Sequence, residues 1–372
     1  MKVLFSSIQR TLYGLALSIA ALNVLSSCDV HELPSTYYDA VDYTIDLRYD
    51  TEFPFYKEVI YSRADGDGIA DDGRMSIYEH DIRYILEVYP AADSHPADQK
   101  PVSTFVFTKS TSSDIIDNQV KIKLNEGVWD IYVWTDFVEK GSDKDKYYKT
   151  SNFGGITYVD FDNYSGNNVC RPAYRGMATV KVEHPYRYME DEQLPDYHTV
   201  IDNLPPMARY EFVSTDVEEF VDRLRFISAS YQSRNDEDSR GEGSRALTRA
   251  DLEEFKVVFR YTTFMPSVYN IFTDRPTDSL TGMTFESTMD LRDDGIVLGF
   301  DHVFVNGSEA IVNVAVDVYN GTGEKIASTP SIEVPILRKK NTVIRGEFLS
   351  SVGSGGVAIK PGFDGEYNLE IQ

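Results

Sequence analysis

Nine residues, Val128 to Asp136, constrain this chain more than any other stretch. Trp129, Ile131 and Val133 alternate with Asp130, Tyr132, Trp134 and Asp136. A period of two sends successive side chains to opposite faces of an extended strand, a pattern that a helix of 3.6 residues per turn cannot use. Just before it, Asn125-Glu126-Gly127 is a tight-turn signal, and Gln119 to Leu124 alternates as well. The spacing predicts a hairpin over 119–136.

The same period recurs along the chain. Tyr43, Ile45, Leu47 and Tyr49 alternate with Thr44, Asp46 and Arg48, and similar runs follow at 83–89, 104–108, 156–161 and 177–183. About seven strands are therefore expected in a first domain, residues 41–185. Residues 186–206 are polar and end in Pro205-Pro206, which marks a linker. A second domain, 207–372, opens with a strand at 208–213 and then Thr215-Asp216-Val217-Glu218, a capping box for a short helix that buries Phe220 and Leu224. Ser233 to Ser244 is too polar to pack and reads as a mobile loop. Strand runs resume at 256–261, 268–272, 296–305, 310–319, 331–336, 342–349 and 367–371, with Asn320-Gly321-Thr322-Gly323 closing a hairpin. The expected class is all-β: two tandem β-sandwich domains, with one short helix in the second.

The amino end carries a different signal. Lys2 and Arg10 precede an apolar run from Leu12 to Leu25, and Leu25-Ser26-Ser27-Cys28 follows. The run is too short for a membrane span and reads as a cleaved secretory leader, residues 1–27. The small-residue site ending in Cys resembles the lipobox of bacterial lipoproteins, in which the Cys thiol accepts the lipid. Cys28 is then the acylated first residue, and acyl chains at about 0.8 kcal/mol per buried CH2 hold a protein on a bilayer. Residues 28–40 have no period and form a tether. The expected location is the outer membrane, lipid-anchored and facing the cell surface. A formal charge of −24 repels phosphate backbones and argues against nucleic acid. With Cys28 acylated, Cys170 has no partner thiol.

Chemistry is scarce. Six histidines show no pair at metal spacing, and no nucleophile elbow or phosphate-cradling glycine loop occurs. No cofactor and no enzymatic activity are expected. In Asp65-Gly66-Asp67-Gly68-Ile69-Ala70-Asp71, the carboxylates of Asp65, Asp67 and Asp71 form the one candidate for a calcium loop. Ile69 and Ala70 fall where that loop needs an oxygen ligand and a glycine, so an ordinary solvated turn fits better. Tyr132 and Trp134 share a face with Asp130 and Asp136. Aromatics beside carboxylates suit a sugar platform, while packing beneath a loop or against the second domain suits the same rings.

Leu124-Asn125-Glu126-Gly127-Val128-Trp129-Asp130-Ile131-Tyr132-Val133-Trp134-Thr135-Asp136 resembles a stretch of the fimbrillin-related lipoproteins. So do Met207 to Phe212 with Thr215-Asp216 and Phe220, Gly299 to Gly307, Asn341 to Gly346 and Phe363 to Asn368. The resemblance covers nearly the whole mature chain and is closest to a functionally uncharacterised subgroup. It implies two transthyretin-like or Ig-like sandwiches and a role as fimbrial anchor, minor fimbrial subunit or related adhesion component, with fimbrial or other surface proteins as partners. The alternative is a glycan-binding surface lipoprotein of a nutrient-capture system. In polymerising subunits of such fimbriae a protease cuts after a basic residue in the first strand. Arg48 and Arg63 are the positions where that would occur here, and a solvated side chain is the simpler account of each.

Overall fold

In the computed structural model the described residues are 40–49, 80–110, 118–183, 196–232, 249–350, 357–361 and 366–371. They form 22 strands and two helices, so the chain is all-β as expected. The strand β1 (Val41–Tyr49) lies between β4 (Gln119–Leu124), antiparallel to it, and β9 (His198–Asn203), parallel to it. Opposite stands an antiparallel sheet of β3 (Ser103–Ser110), β2 (His80–Pro90), β5 (Gly127–Glu139) and β8 (Tyr174–Val182), in that order. Tyr43, Ile45 and Leu47 from the first sheet join Ile82, Tyr84, Ile131 and Val133 from the second in one core. Period-two alternation supplies those faces. The sheets approach closely at Gly176 of β8, where a Cβ would lie 2.6 Å from Ile201 of β9.

The hairpin expected over 119–136 is not formed. β4 and β5 belong to opposite sheets, so the Asn125–Gly127 turn carries the chain across the sandwich. Each strand has its ladder elsewhere: Leu124 pairs with Val41, and β5 pairs with both β2 and β8. Gly127 meets the turn's demand with φ 151°. The Trp129 indole packs 3.1 Å from where a Cβ would be and donates to the Asn125 carbonyl at 2.9 Å.

A second sandwich follows. One sheet runs β15 (Asp290–Arg292), β16 (Gly295–Phe304), β10 (Met207–Ser214), β20 (Asn341–Gly346), β22 (Glu366–Ile371) and β21 (Val357–Pro361). The other runs β14 (Thr284–Thr288), β11 (Lys256–Tyr261), β17 (Glu309–Tyr319) and β18 (Lys325–Ser328), with β19 (Ile332–Leu337) also on β17. Phe212 meets Phe259 edge-on at 5.6 Å between them. Residues 320–323 close the β17–β18 hairpin as expected, with Tyr319 opposite Lys325. Helix α1 (Val217–Gln232) starts at the expected place and buries Phe220. Its cap differs from the expected box: the Asp216 carboxylate accepts the Leu349 and Ser350 amides at 3.0 and 2.5 Å, tying the helix entry to the chain after β20. A short helix α2 (Arg249–Leu252) precedes β11.

The two halves share a sheet. β13 (Arg275–Leu280), β12 (Met265–Asn270), β7 (Ile156–Tyr158) and β6 (Tyr148–Lys149) are hydrogen-bonded in that order, and Thr157 and Ile156 pair with Val268 and Tyr269. The run at 156–161 therefore shortens to β7 and joins the second half's strands. Residues 198–203, within the stretch read as a linker, form β9. Most buried apolar residues join one continuous cluster from Tyr43 to Leu349, and Val213, Val297 and Val343 form a small second one.

Candidate functional site

Cys28, the leader, the tether, Arg63, the loop at 233–244 and the carboxylates Asp65, Asp67 and Asp71 lie outside the described residues. Arg48 stands on β1 with an exposed side chain 3.6 Å from Asp202 of β9. Tyr132 is 6 % exposed and Trp134 is fully buried, so neither ring presents a face that a sugar could stack on.

Those two rings instead belong to a covered outer face of the first sandwich. On β2 and β5 the cross-strand pairs Tyr89–Asp130, Glu87–Tyr132, Ile85–Trp134 and Arg83–Asp136 share that face. Tyr132 and Phe272 meet edge-on at 5.0 Å, and His95 lies 5.0 Å from the Tyr89 ring. The Asp130 carboxylate bonds His95 Nε2 at 2.9 Å and accepts the Thr179 hydroxyl at 2.5 Å and the Ala92 amide at 3.2 Å. Burial opposes its charge, but those hydrogen bonds outweigh it and hold Asp130 below the usual carboxylate range. Farther along, Arg83 clasps Asp136 with two bonds of 2.9 and 2.7 Å, and the Trp134 indole donates to the same carboxylate at 3.2 Å. Fork-to-carboxylate pairing of this kind fixes orientation as well as charge.

The junction of the two halves holds the most deeply buried charges. Arg171 Nη1 lies 2.5 Å from Asp301 Oδ1 on β16. Tyr164 and Tyr261 donate to Asp301 Oδ2 at 3.0 and 2.6 Å, and the His302 amide to Oδ1 at 2.7 Å. The guanidinium also faces the Tyr164 ring at 4.2 Å and the Tyr158 ring at 4.9 Å. Burial works against the Arg171 cation, yet Tyr164, Asp301 and the neighbouring hydroxyls push its pKa up. Beside it Phe304 stacks on Tyr158 at 5.5 Å and on Tyr269 at 5.1 Å. Sequence reasoning missed Arg171, Asp301, His95 and Arg83 because their partners are 35 to 130 residues away. The available hint was a charge in a largely apolar strand, which applies to Asp301 of β16; Arg171 and His95 lie in loops.

A third polar knot lies near the surface of the second half, with Arg175 of β8 lying 3.9 Å from its Asp274 carboxylate. Arg338 makes two bonds to Asp274, of 3.0 and 2.7 Å, and the Tyr269 hydroxyl donates to the same carboxylate. Burial raises Asp274, but Arg338 and Tyr269 prevail and its pKa is lowered. A depressed folded-state pKa stabilises above the unfolded value near 4, and that stability is lost as pH falls through the folded value. Asp274→Asn is therefore expected to be less stable than the parent by about 1 kcal/mol between pH 5 and 7. Urea unfolding at successively lower pH should show the gap closing below about pH 4.

Every one of these charged groups is consumed by an internal partner. Among the described residues no group of three or more His, Cys, Asp or Glu is placed to hold a metal ion, and no helix is long and apolar enough to cross a membrane. A cleft of about 700 Å³ opens between the 162–168 loop and β11 and β14, lined by Asn163, Asn167, Lys256, Glu286 and Ser287 among others. What the arrangement offers a partner is backbone: among the described residues β3 and β13 stand at the ends of their sheets.

A family model described as a family of unknown function, DUF6562, matches residues 38–372. The chain belongs to that family. No curated protein matches this DUF6562 member. Among solved structures it is similar to the fimbrial anchor protein Mfa2 from Porphyromonas gingivalis, at 9 % identity over 77 % of this chain and 82 % of that one, TM-score 0.35. A fimbrial assembly protein from Parabacteroides distasonis matches at 9 % identity, 82 % and 90 % coverage and TM-score 0.33. A candidate cell adhesion protein from Bacteroides eggerthii matches at 11 %, 90 % and 95 %, TM-score 0.40. The resemblance to fimbrial anchor proteins expected from the residues is thus the one the DUF6562 chain returns. Likeness at this level says nothing of what the chain binds.

Proposed function

We propose that this protein is a non-enzymatic, lipid-anchored cell-surface component of the outer membrane, acting as a fimbrial anchor, minor fimbrial subunit or related adhesion component. The observation that carries the reading is the place of β3 at the end of its sheet, over residues 103–108. Among the described residues β3 stands at the end of its sheet and pairs with β2, and over residues 103–108 its side chains alternate between half-buried and exposed, with Val106 45 % exposed. A strand at the end of a sheet can accept a partner strand, whose main chain gives affinity and whose alternate side chains give specificity. The Cys28 lipobox supplies the anchor, and among the described residues the internal pairing of the buried charges leaves no acid, base and nucleophile set for catalysis.

Two measurements test it. Labelled fatty acid is expected to enter the native chain and to be absent from Cys28→Ala; an unlabelled native chain removes the anchor. Membrane-extracted protein is expected to co-purify with fimbrial or other surface subunits. Val106→Asp should weaken that capture about tenfold while shifting unfolding by no more than about 0.5 kcal/mol, as for an ordinary surface change. Capture unchanged by Val106→Asp removes β3 as the docking edge.

A further inference from the structure

We infer that β1 is a tension clamp: force entering at its amino end is resisted by two strand ladders sheared at once. The inference rests on the reading that the chain is held at Cys28, which places the tether directly upstream of Val41. Two observations give the direction. At the start of β1 Val41 pairs with Leu124, and the Tyr43 ring lies 6.4 Å from Tyr197, just before β9. At the other end, Tyr49 is opposite Asn203, and Leu204 to Pro206 leads straight into β10. There the second half takes hold. Arg338 Nε donates to the Pro205 carbonyl at 3.0 Å, the Val305 amide to Pro206 at 3.1 Å, and Arg175 Nη2 to Ile271 at 3.1 Å. In the second half the 320–323 turn lies beside the start of β11, where Lys256 pairs with Tyr319, at the opposite end of that strand from Tyr261, which bonds Asp301 at the junction. A pull between the tether and the second half therefore enters β1 at Val41 and leaves through the Asn203 end of the parallel β9.

Inter-strand hydrogen bonds lie across the strands they join. A strand drawn along its axis loads the whole ladder together, whereas one drawn sideways breaks it pair by pair. β1 has six registered pairs with β4 and six with β9. Its side chains add cross-links in the same plane. Asp46 accepts Gln119 at 2.8 Å and meets His198 Nε2 at 2.8 Å, bridging all three strands, and Asp42 lies 3.0 Å from Lys123. Tyr43, Ile45 and Leu47 are buried beneath. The parallel pairing with β9 is the deciding feature, because β9 leads into the half on which the load acts.

Single-molecule pulling on the full chain, unacylated at Cys28, tests this. Handles go on the Cys28 thiol and on Thr322→Cys for shear. In a second preparation they go on Cys28 and on Asn125→Cys, which sits beside the start of β1 and so unzips β1 from β4. Cys170 is fully buried and stays unlabelled in the folded chain. The shear geometry is expected to rupture at a force at least about twice that of unzipping, since forced unfolding follows the barrier along the pulled direction. Its first extension gain should match the chain between Val41 and His80, on the order of 130 Å. Asp46→Ala should lower the shear force. Equal forces in the two geometries, or a first gain that maps to the second half, overturns the clamp. Neither result bears on fatty-acid labelling of Cys28, so failure of the clamp and failure of the anchor are separable.

Discussion

Arg171→Met is expected to destabilise the protein by about 3–5 kcal/mol, the usual cost of leaving a buried charge without its partner. The Asp301 carboxylate would keep Tyr164, Tyr261 and the His302 amide but lose the cation that neutralises it. Burial already pushes the Asp301 carboxyl up, so the variant is expected to take a proton at that site. Arg171→Met combined with Asp301→Leu should cost less than the two single changes together, because neither charge is then left alone. Urea unfolding of the four proteins checks the cycle. Additive losses would mean that the pair contributes no mutual stabilisation.

Phe304→Ala is the second large effect, at about 3–5 kcal/mol for an aromatic removed from a packed core. Phe304 comes from β16 in the second half, while Tyr148 and Tyr158, at 6.0 and 5.5 Å, come from the first. Its loss opens a cavity on both sides of the junction. Because the buried cluster is continuous from Tyr43 to Leu349, the parent and the variant are each expected to unfold in one transition. The signal to follow is Trp129 and Trp134 fluorescence, which reports the first half, against a probe on Thr322→Cys, which reports the second. Two transitions at separate denaturant concentrations would show independent sandwiches.

Much of the architecture was legible in the residues. Val128 to Asp136 became β5 with the expected split of faces, and Asn320-Gly321-Thr322-Gly323 closed the hairpin it signals. Strand β9 was not legible: His198 to Asn203 lies in a polar, proline-bounded stretch, and only its pairing with β1 makes it a strand. The Asn125-Glu126-Gly127 turn was visible, but its consequence was not. A turn signal fixes where the chain bends. Whether the flanking strands pair or part depends on which other strands complete their ladders. Trp134 shows the same limit, since a solvent-facing platform and a covered outer face share one alternating pattern.

Local alternation and turn chemistry determined the all-β class and most strand positions, because each depends on neighbours a few residues apart. Tertiary structure alone decided that the halves share a sheet, that Arg171 finds Asp301, and that β1 lies parallel to β9. Those contacts join residues more than a hundred positions apart. Nothing in a local pattern specifies them; they follow from which buried faces and unpaired backbones meet when the chain closes on itself.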